Sequence, residues 1–194
     1  MTIPAATKNA MLDGVTFTHA SLHSAFPGAT GTNEISGGAP AYARKVVVVN
    51  PSSGGQRALN AAVAFDVPVS TVRWLGFWNS AAFVAAVPNG GAMPKNFIAV
   101  PTSDLMYSTG HAYADATPVV VYGGTPPTGL TEGTIYFVRD AAADTFKLAA
   151  TAGGVAIDLT ASASFGAVVC AITSDVYAAQ GTHTLSTFTF AVPD

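Results

Sequence analysis

Residues 118–159 constrain the fold most tightly, because four short apolar runs alternate there with turn-forming clusters. Val119, Val120, Val121 and Tyr122 make the first run, and residues 134–138, Thr-Ile-Tyr-Phe-Val, make the second. β-Branched and aromatic side chains suit an extended, half-buried backbone, whereas the Gly-Gly-Thr-Pro-Pro-Thr-Gly between the runs suits neither a helix nor the middle of a sheet. In the third run, residues 145–148, Phe146 and Leu148 alternate with Thr145 and Lys147, which gives one apolar and one wet face. Gly153 and Gly154 then turn the chain into residues 155–159, whose apolar side chains again fall at every second position. Strands this short and this evenly spaced predict an antiparallel meander.

A chain of 194 residues is long enough for one large or two small domains with a real core. Only 10% of it is charged, against about 25% in an ordinary globular protein, while 49% is apolar. So few charges suit a subunit packed against others better than a free monomer. The positive mean hydropathy of +0.39 comes from strand-forming Val and Ala, since no run approaches the ~18 apolar residues of a membrane span. The N-terminus also lacks the basic start and long apolar centre of a secretory signal. A net charge of -3, with Arg44-Lys45 the one adjacent basic pair, argues against nucleic-acid binding. The single cysteine, Cys170, rules out an intrachain disulfide and sits in an apolar run that predicts core packing.

Residues 2–14 are the one good helix candidate, with Thr2 as cap, Pro4 in the first turn, Gly14 as stop, and Ile3, Ala6 or Thr7, Ala10 and Met11 as a narrow apolar face. Residues 15–23 read as the first strand, with Val15, Phe17, His19, Ser21 and His23 on one side and Thr16, Thr18, Ala20 and Leu22 on the other. Residues 24–42 form a loop too long to be a mere connector. Strands are expected at 45–49, 63–65, 71–77 and 81–87, followed by a turn at 88–94. Val72, Trp74, Gly76 and Trp78 alternate with Arg73, Leu75 and Phe77, so that strand carries bulk on both faces, as one covered on both sides requires.

Chemistry is harder to find. His19 and His23 share a face, yet no HExxH, CxxC or paired-carboxylate pattern accompanies them, and His111 and His183 lie in loop-like sequence. Hydrogen-bonded structural or surface histidines are the expectation, with no metal site. GxSxG is absent, and Ser36 and Ser53 sit in low-complexity loops. The glycine pairs at 37–38, 54–55, 90–91, 123–124 and 153–154 lack the surroundings of a phosphate loop and read as turns. Asp140, Asp144 and Asp158 are either calcium ligands or turn residues bonding their own backbone, with the second reading preferred. No catalytic residue and no cofactor is therefore expected. Trp74, Trp78, Tyr107 and Tyr113 are the aromatic platforms a glycan would use. Trp74 and Trp78 are also the candidate interface anchors, or equally core residues.

Two stretches resemble known families. Residues 108–159, with TIYFV, DTFKLA and AGG followed by IDL in order, resemble a small β-module of bacteriophage tail and minor tail proteins. Residues 18–44, THASLHSAFPGATGTNEISGGAPAYAR, resemble the N-terminal signature of a second family of small bacteriophage virion proteins. That similarity continues through SSGGQRAL and VAFDVPVSTVRWLGFW and resumes in YAAQGTHTLSTFTF, residues 177–190, as the family's closing strand. The family pattern lacks a module between its two parts. The resemblances imply an all-β chain: an antiparallel β-sandwich body from residues 1–100 plus 175–194, with a short N-terminal helix, and a second small inserted β-domain at residues 101–174. They further imply a noncatalytic virion subunit, tail-associated as a minor tail protein or capsid-decorating. Such a subunit is assembled in the host bacterial cytoplasm and packs on other virion proteins as a homo-oligomer, with no nucleic-acid or membrane partner. The alternative is a module on the virion that binds a host receptor or surface glycan.

Overall fold

A computed structural model describes residues 3–162, 166–186 and 188–191. The protein is an all-β chain of antiparallel sheets with one short helix, α1 (Ala5–Asp13). It divides into two compact units, residues 1–87 with 174–194 and residues 88–173. The second unit thus starts at Pro88, not near residue 101. Residues 95–100 pair with strands of the second unit, so the hydrogen bonds assign them there.

The first unit contains β1 (His19–His23), β2 (Lys45–Val46), β3 (Gln56–Ala58), β4 (Val63–Val67), β5 (Ser70–Val72), β6 (Trp74–Asn79) and β7 (Ala82–Pro88), although Pro88 itself is counted with the second unit. Among the described residues, one four-stranded sheet runs β2-β1-β6-β7. Ala20 and Leu22 of β1 and Leu75 and Phe77 of β6 point to one side of it and join Phe65, Val67, Leu185 and Phe188 in a single buried core. This is the facing of two layers expected of a sandwich.

The strand expected at 15–23 starts only at His19, and its side chains do not keep one alternation throughout. Phe17 is in the inner core with Ala20 and Leu22, while Ser21 and His23 lie on the opposite face. Phe17 stacks on Phe190 at 4.5 Å, and that aromatic contact outweighs strict alternation.

Helix α1 also departs from expectation. Met11 is 53% exposed, and Ala6, Thr7 and Ala10 are exposed with it. The helix docks by its polar side instead. Asn9 Oδ1 accepts the Gly55 N–H at 2.8 Å, and the Asp13 carboxylate accepts both the N–H and the hydroxyl of Ser52 at 2.9 and 2.7 Å. Arg57 donates to the carbonyls of Leu12 and Val15 at 3.1 and 2.6 Å. These groups close the helix end that backbone bonding alone leaves open. Pro4 occupies the N-cap position without a side-chain bond, and Thr2 lies outside the described residues.

The second unit contains β8 (Lys95–Asn96), β9 (Ile98–Val100), β10 (Leu105–Tyr107), β11 (Pro118–Tyr122), β12 (Ile135–Arg139), β13 (Thr145–Ala149) and β14 (Val168–Ala171). Its sheet order is β8-β14-β11-β12-β13-β10-β9, antiparallel throughout. The two ends of that order, β8 and β9, are neighbours in the chain with only Phe97 between them, so the sheet closes on itself as a small barrel. Met106, Val119, Val121, Val138, Phe146, Leu148 and Val169 fill it.

The meander β11-β12-β13 is present, but residues 155–159 do not add a fourth strand. Among the described residues only a single bridge, Ala149 to Ala156, forms there, and Val155 is 86% exposed. The edge of β13 that a fourth strand would use pairs with β10 through Met106 and Tyr107, and β14, whose Val169 and Cys170 are fully buried, pairs on the far side of β11.

The chain then returns to the first unit as β15 (Asp175–Tyr177), β16 (Gly181–Leu185) and β17 (Thr189–Ala191), which pair with β5, β4 and β3. Phe188 stacks on Phe77 at 4.0 Å and packs edge-on to Phe190 at 4.1 Å. The last segment is thereby locked into the core of the first.

Candidate functional site

The outer face of the four-stranded sheet carries the molecule's best-formed polar constellation. Ser21 lies directly across from Gly76, and His23 across from Trp74, so Ser21, His23, Trp74, Gly76 and Trp78 share that face. Phe26, Gly31, Thr32 and Arg44 of the long loop at 24–44 cover it, while Ile35 and Tyr42 of the same loop pack on the inner core. Ile35 N–H bonds back to the Leu22 carbonyl at 3.0 Å, the Tyr42 hydroxyl accepts the Leu22 N–H at 2.8 Å, and Phe26 packs on Trp74 at 4.9 Å. Gly31, at φ +76°, is where the loop meets the indole: a Cβ there would overlap Trp78 and Phe83.

Hydrogen-bond partners fix the protons of the cluster. His23 Nδ1 is 2.7 Å from the Thr32 carbonyl, which can only accept, so Nδ1 carries the hydrogen and donates. Nε2 is then bare and accepts the Ser21 hydroxyl at 2.7 Å. Ser21 Oγ in turn accepts the Trp78 Nε1–H, also at 2.7 Å. Burial holds the His23 imidazole below the usual histidine range, with Arg44 acting in the same direction and the Thr32 carbonyl and Glu34 opposing. Above this chain lies an ion pair. The Arg44 guanidinium grips Glu34 through Nε at 3.0 and 3.1 Å and Nη2 at 2.7 Å, and its Cζ sits 3.3 Å from the Trp78 ring centroid. A guanidinium flat on an indole is a cation–π contact as well as a lid.

A serine hydroxyl on a histidine whose other nitrogen is oriented by an acceptor is the geometry of an activated nucleophile. Access decides otherwise here. Ser21 and His23 are both 0% exposed, and a Cβ at residue 76 would overlap Ser21 Oγ and His23 Nε2 together. No carbonyl of a substrate reaches Ser21 through that packing. The cluster fastens a loop to a sheet.

The remaining candidates are scattered. Trp74 and Trp78 are 1% and 5% exposed, so neither indole offers a surface to a partner or a sugar; they act as core. His19 shares the face with His23, but four residues along a strand separate their Cα atoms by roughly 13 Å, too far for one metal ion. His183 is buried, its Nδ1 3.1 Å from the Tyr177 hydroxyl and 3.6 Å from an Asp175 carboxylate oxygen, and burial lowers its pKa while Asp175 opposes. His111 is buried against Phe146 at 4.9 Å with Nδ1 accepting the Tyr113 N–H, and its Nε2 has no hydrogen-bond partner among the described residues.

Asp140 pairs with Arg139, and Asp144 accepts the Gly110 N–H. Among the described residues no three potential ligands come together. Cys170 is buried, its thiol pushed up to about 12 by desolvation, which leaves it a packing group. Tyr113 is half-buried with its hydroxyl on the Val169 carbonyl, and Tyr107 is 44% exposed.

Sequence reasoning missed Ser21, Thr32, Glu34 and Arg44 as a group. The signal available was the placement of Ser21 between two histidines on one face and of Gly76 between two tryptophans on one face, a small residue where something must approach closely. No protein-family model, curated protein or solved structure matches the chain.

Proposed function

We propose that the protein is a noncatalytic structural subunit of a bacteriophage virion, tail-associated or capsid-decorating, which works by packing on neighbouring copies and other virion proteins. The virion context rests on the resemblances of residues 18–44 and 108–159. One observation carries the packing role: large apolar side chains stand outside both units while polar groups with catalytic geometry are sealed within. Val46, Val48, Val69 and Val176 are 67, 59, 70 and 73% exposed in the first unit, and Ile98 is 66% exposed in the second. In a chain with eight basic and eleven acidic residues, this surface gains by being covered. Burial contributes at about 25 cal/mol per Å² before association costs are set against it.

Tyr107 favours the second reading, binding of a host glycan or receptor. It stands across from Ile98 on the barrel exterior, an aromatic beside an apolar neighbour where a sugar face can stack. Mass spectrometry of purified particles with cryo-EM localisation tests the primary reading, with the chain expected at fixed stoichiometry on the particle. Recovery from lysate but never from particles refutes it. Binding of isolated protein to host cells, lost on Tyr107→Ala, supports the second reading.

A further inference from the structure

Strand β7 ends the four-stranded sheet and is unlike the edge on the other side. Beyond β2, the chain is closed off by bonds from the Asn60 N–H to the Val48 carbonyl and from the Asn50 N–H to the Ala58 carbonyl, both 2.8 Å. Beyond its pairing with β6, by contrast, no residue of β7 makes a hydrogen bond to any other described element. The strand is also long, seven residues or ~23 Å at ~3.3 Å each.

Its sequence, Ala-Phe-Val-Ala-Ala-Val-Pro, has no charged side chain and no lysine of the kind that guards natural sheet edges. Phe83 packs on Trp78 in the outer layer while Ala85 and Val87 pack on the inner core, so the strand changes side in its first half. Residues 84–87 remain as an uncharged row, with Val84 38% exposed.

We propose that β7 is a self-pairing edge: it adds antiparallel to β7 of a second copy across a two-fold axis, joining two four-stranded sheets into one of eight. A second copy fits better than another partner for two reasons. An antiparallel edge is its own complement under two-fold symmetry. This edge also carries no charge, so two identical copies meet without repulsion, and the alanines at 82, 85 and 86 leave room on both faces. The strand pair alone covers less than the ~800 Å² per partner of a standard interface, so the dimer is weak in free solution and forms where copies are concentrated, with a Kd in the micromolar range or above. Because the symmetry uses up the edge, assembly through it stops at two.

This deepens the packing role proposed above and can fail separately from it. Sedimentation velocity of the full chain from micromolar to near-millimolar concentration is the experiment. The wild type is expected to move from monomer towards twice the mass and no further. Val84→Lys places two ammonium groups along the joined edge and is expected to weaken the association by about tenfold or more. Val155→Lys, at an equally apolar and more exposed position in the second unit, is expected to leave it intact.

Hydrogen exchange adds a readout that does not depend on the variant folding well: amides of residues 82–87 in the wild type gain protection as concentration rises. A wild type that stays monomeric throughout overturns the proposal. So does a Val84→Lys chain that dimerises like wild type, or association without added protection in β7. None of these outcomes bears on whether the protein is found on particles, and absence from particles leaves the dimer test as it stands.

Discussion

Replacing Ser21 with alanine removes one hydroxyl and strands two buried groups. Ser21 Oγ accepts the Trp78 Nε1–H and donates to His23 Nε2, both at 2.7 Å. His23 cannot turn over to compensate, because its Nδ1–H is held by the Thr32 carbonyl. Each orphaned buried group costs about 1–3 kcal/mol, so the variant should lose about 2–5 kcal/mol out of a typical 5–15. The chain's two tryptophans, Trp74 and Trp78, both belong to the first unit, so urea unfolding at neutral pH followed by tryptophan fluorescence reads that unit alone. Trp78→Phe deletes the stranded donor and leaves only the His23 Nε2 acceptor unpaired, so Ser21→Ala combined with Trp78→Phe should cost less than the two single changes added together, the mark of a shared network. Ser24→Ala, which touches only a long exposed bond of 3.4 Å, serves as control. A Ser21→Ala midpoint equivalent to less than about 0.5 kcal/mol from wild type would refute the relay.

Other outcomes follow from the same geometry. Gly76→Ala drives a methyl into Ser21 and His23 and should cost at least about 3 kcal/mol by the same fluorescence assay, more than an alanine at the open, positive-φ Gly28, where only backbone strain of about 1 kcal/mol is expected. His23 and His183 both have folded pKa values below the ordinary 6.5, so the unfolded chain binds more protons in the window beneath that value. Stability is then fully present above it and lost as pH falls through it, by up to ~1.4 kcal/mol per pH unit per histidine; urea midpoints that stay flat between pH about 7 and about 5 would contradict this. Asn9→Ala removes the acceptor of the Gly55 N–H and should loosen α1, seen as faster hydrogen exchange in residues 5–13. A chain in which residues 88–173 are replaced by a short Gly/Ser linker should keep the tryptophan-reported transition, because the Thr173 N–H bonds to the Asn89 carbonyl at 2.8 Å and the two crossing points lie side by side. Loss of cooperative unfolding in that chain would show that the two units share one core.

Local pattern determined a good deal of this protein. Runs of β-branched and aromatic residues between Gly/Pro clusters are enough to specify β11, β12 and β13, since propensity, alternation and turn chemistry agree there. The same agreement made the chain all-β and located β6 and β7. What tertiary structure decided was which faces are covered and by what. Residues 155–159 alternate as well as any strand here, yet the edge of β13 on which a fourth strand would pair goes to β10, whose Met106 is fully buried there while Val155 stays 86% exposed. The apolar face drawn on α1 is exposed because Asn9, Asp13 and Arg57 find buried or half-buried backbone partners that no helical periodicity reveals. Trp74 and Trp78 read equally as anchors or as core until residues 24–44 are laid over them, and that loop has no periodicity from which its path could be read. Ser21 and His23 are two residues apart and so visible as neighbours, but their proton arrangement depends on Thr32 and Trp78, brought to them by the loop and by the neighbouring strand. Sequence fixes what a segment prefers over a few residues; burial, which sums contacts from segments far apart in the chain, decides among preferences of similar strength.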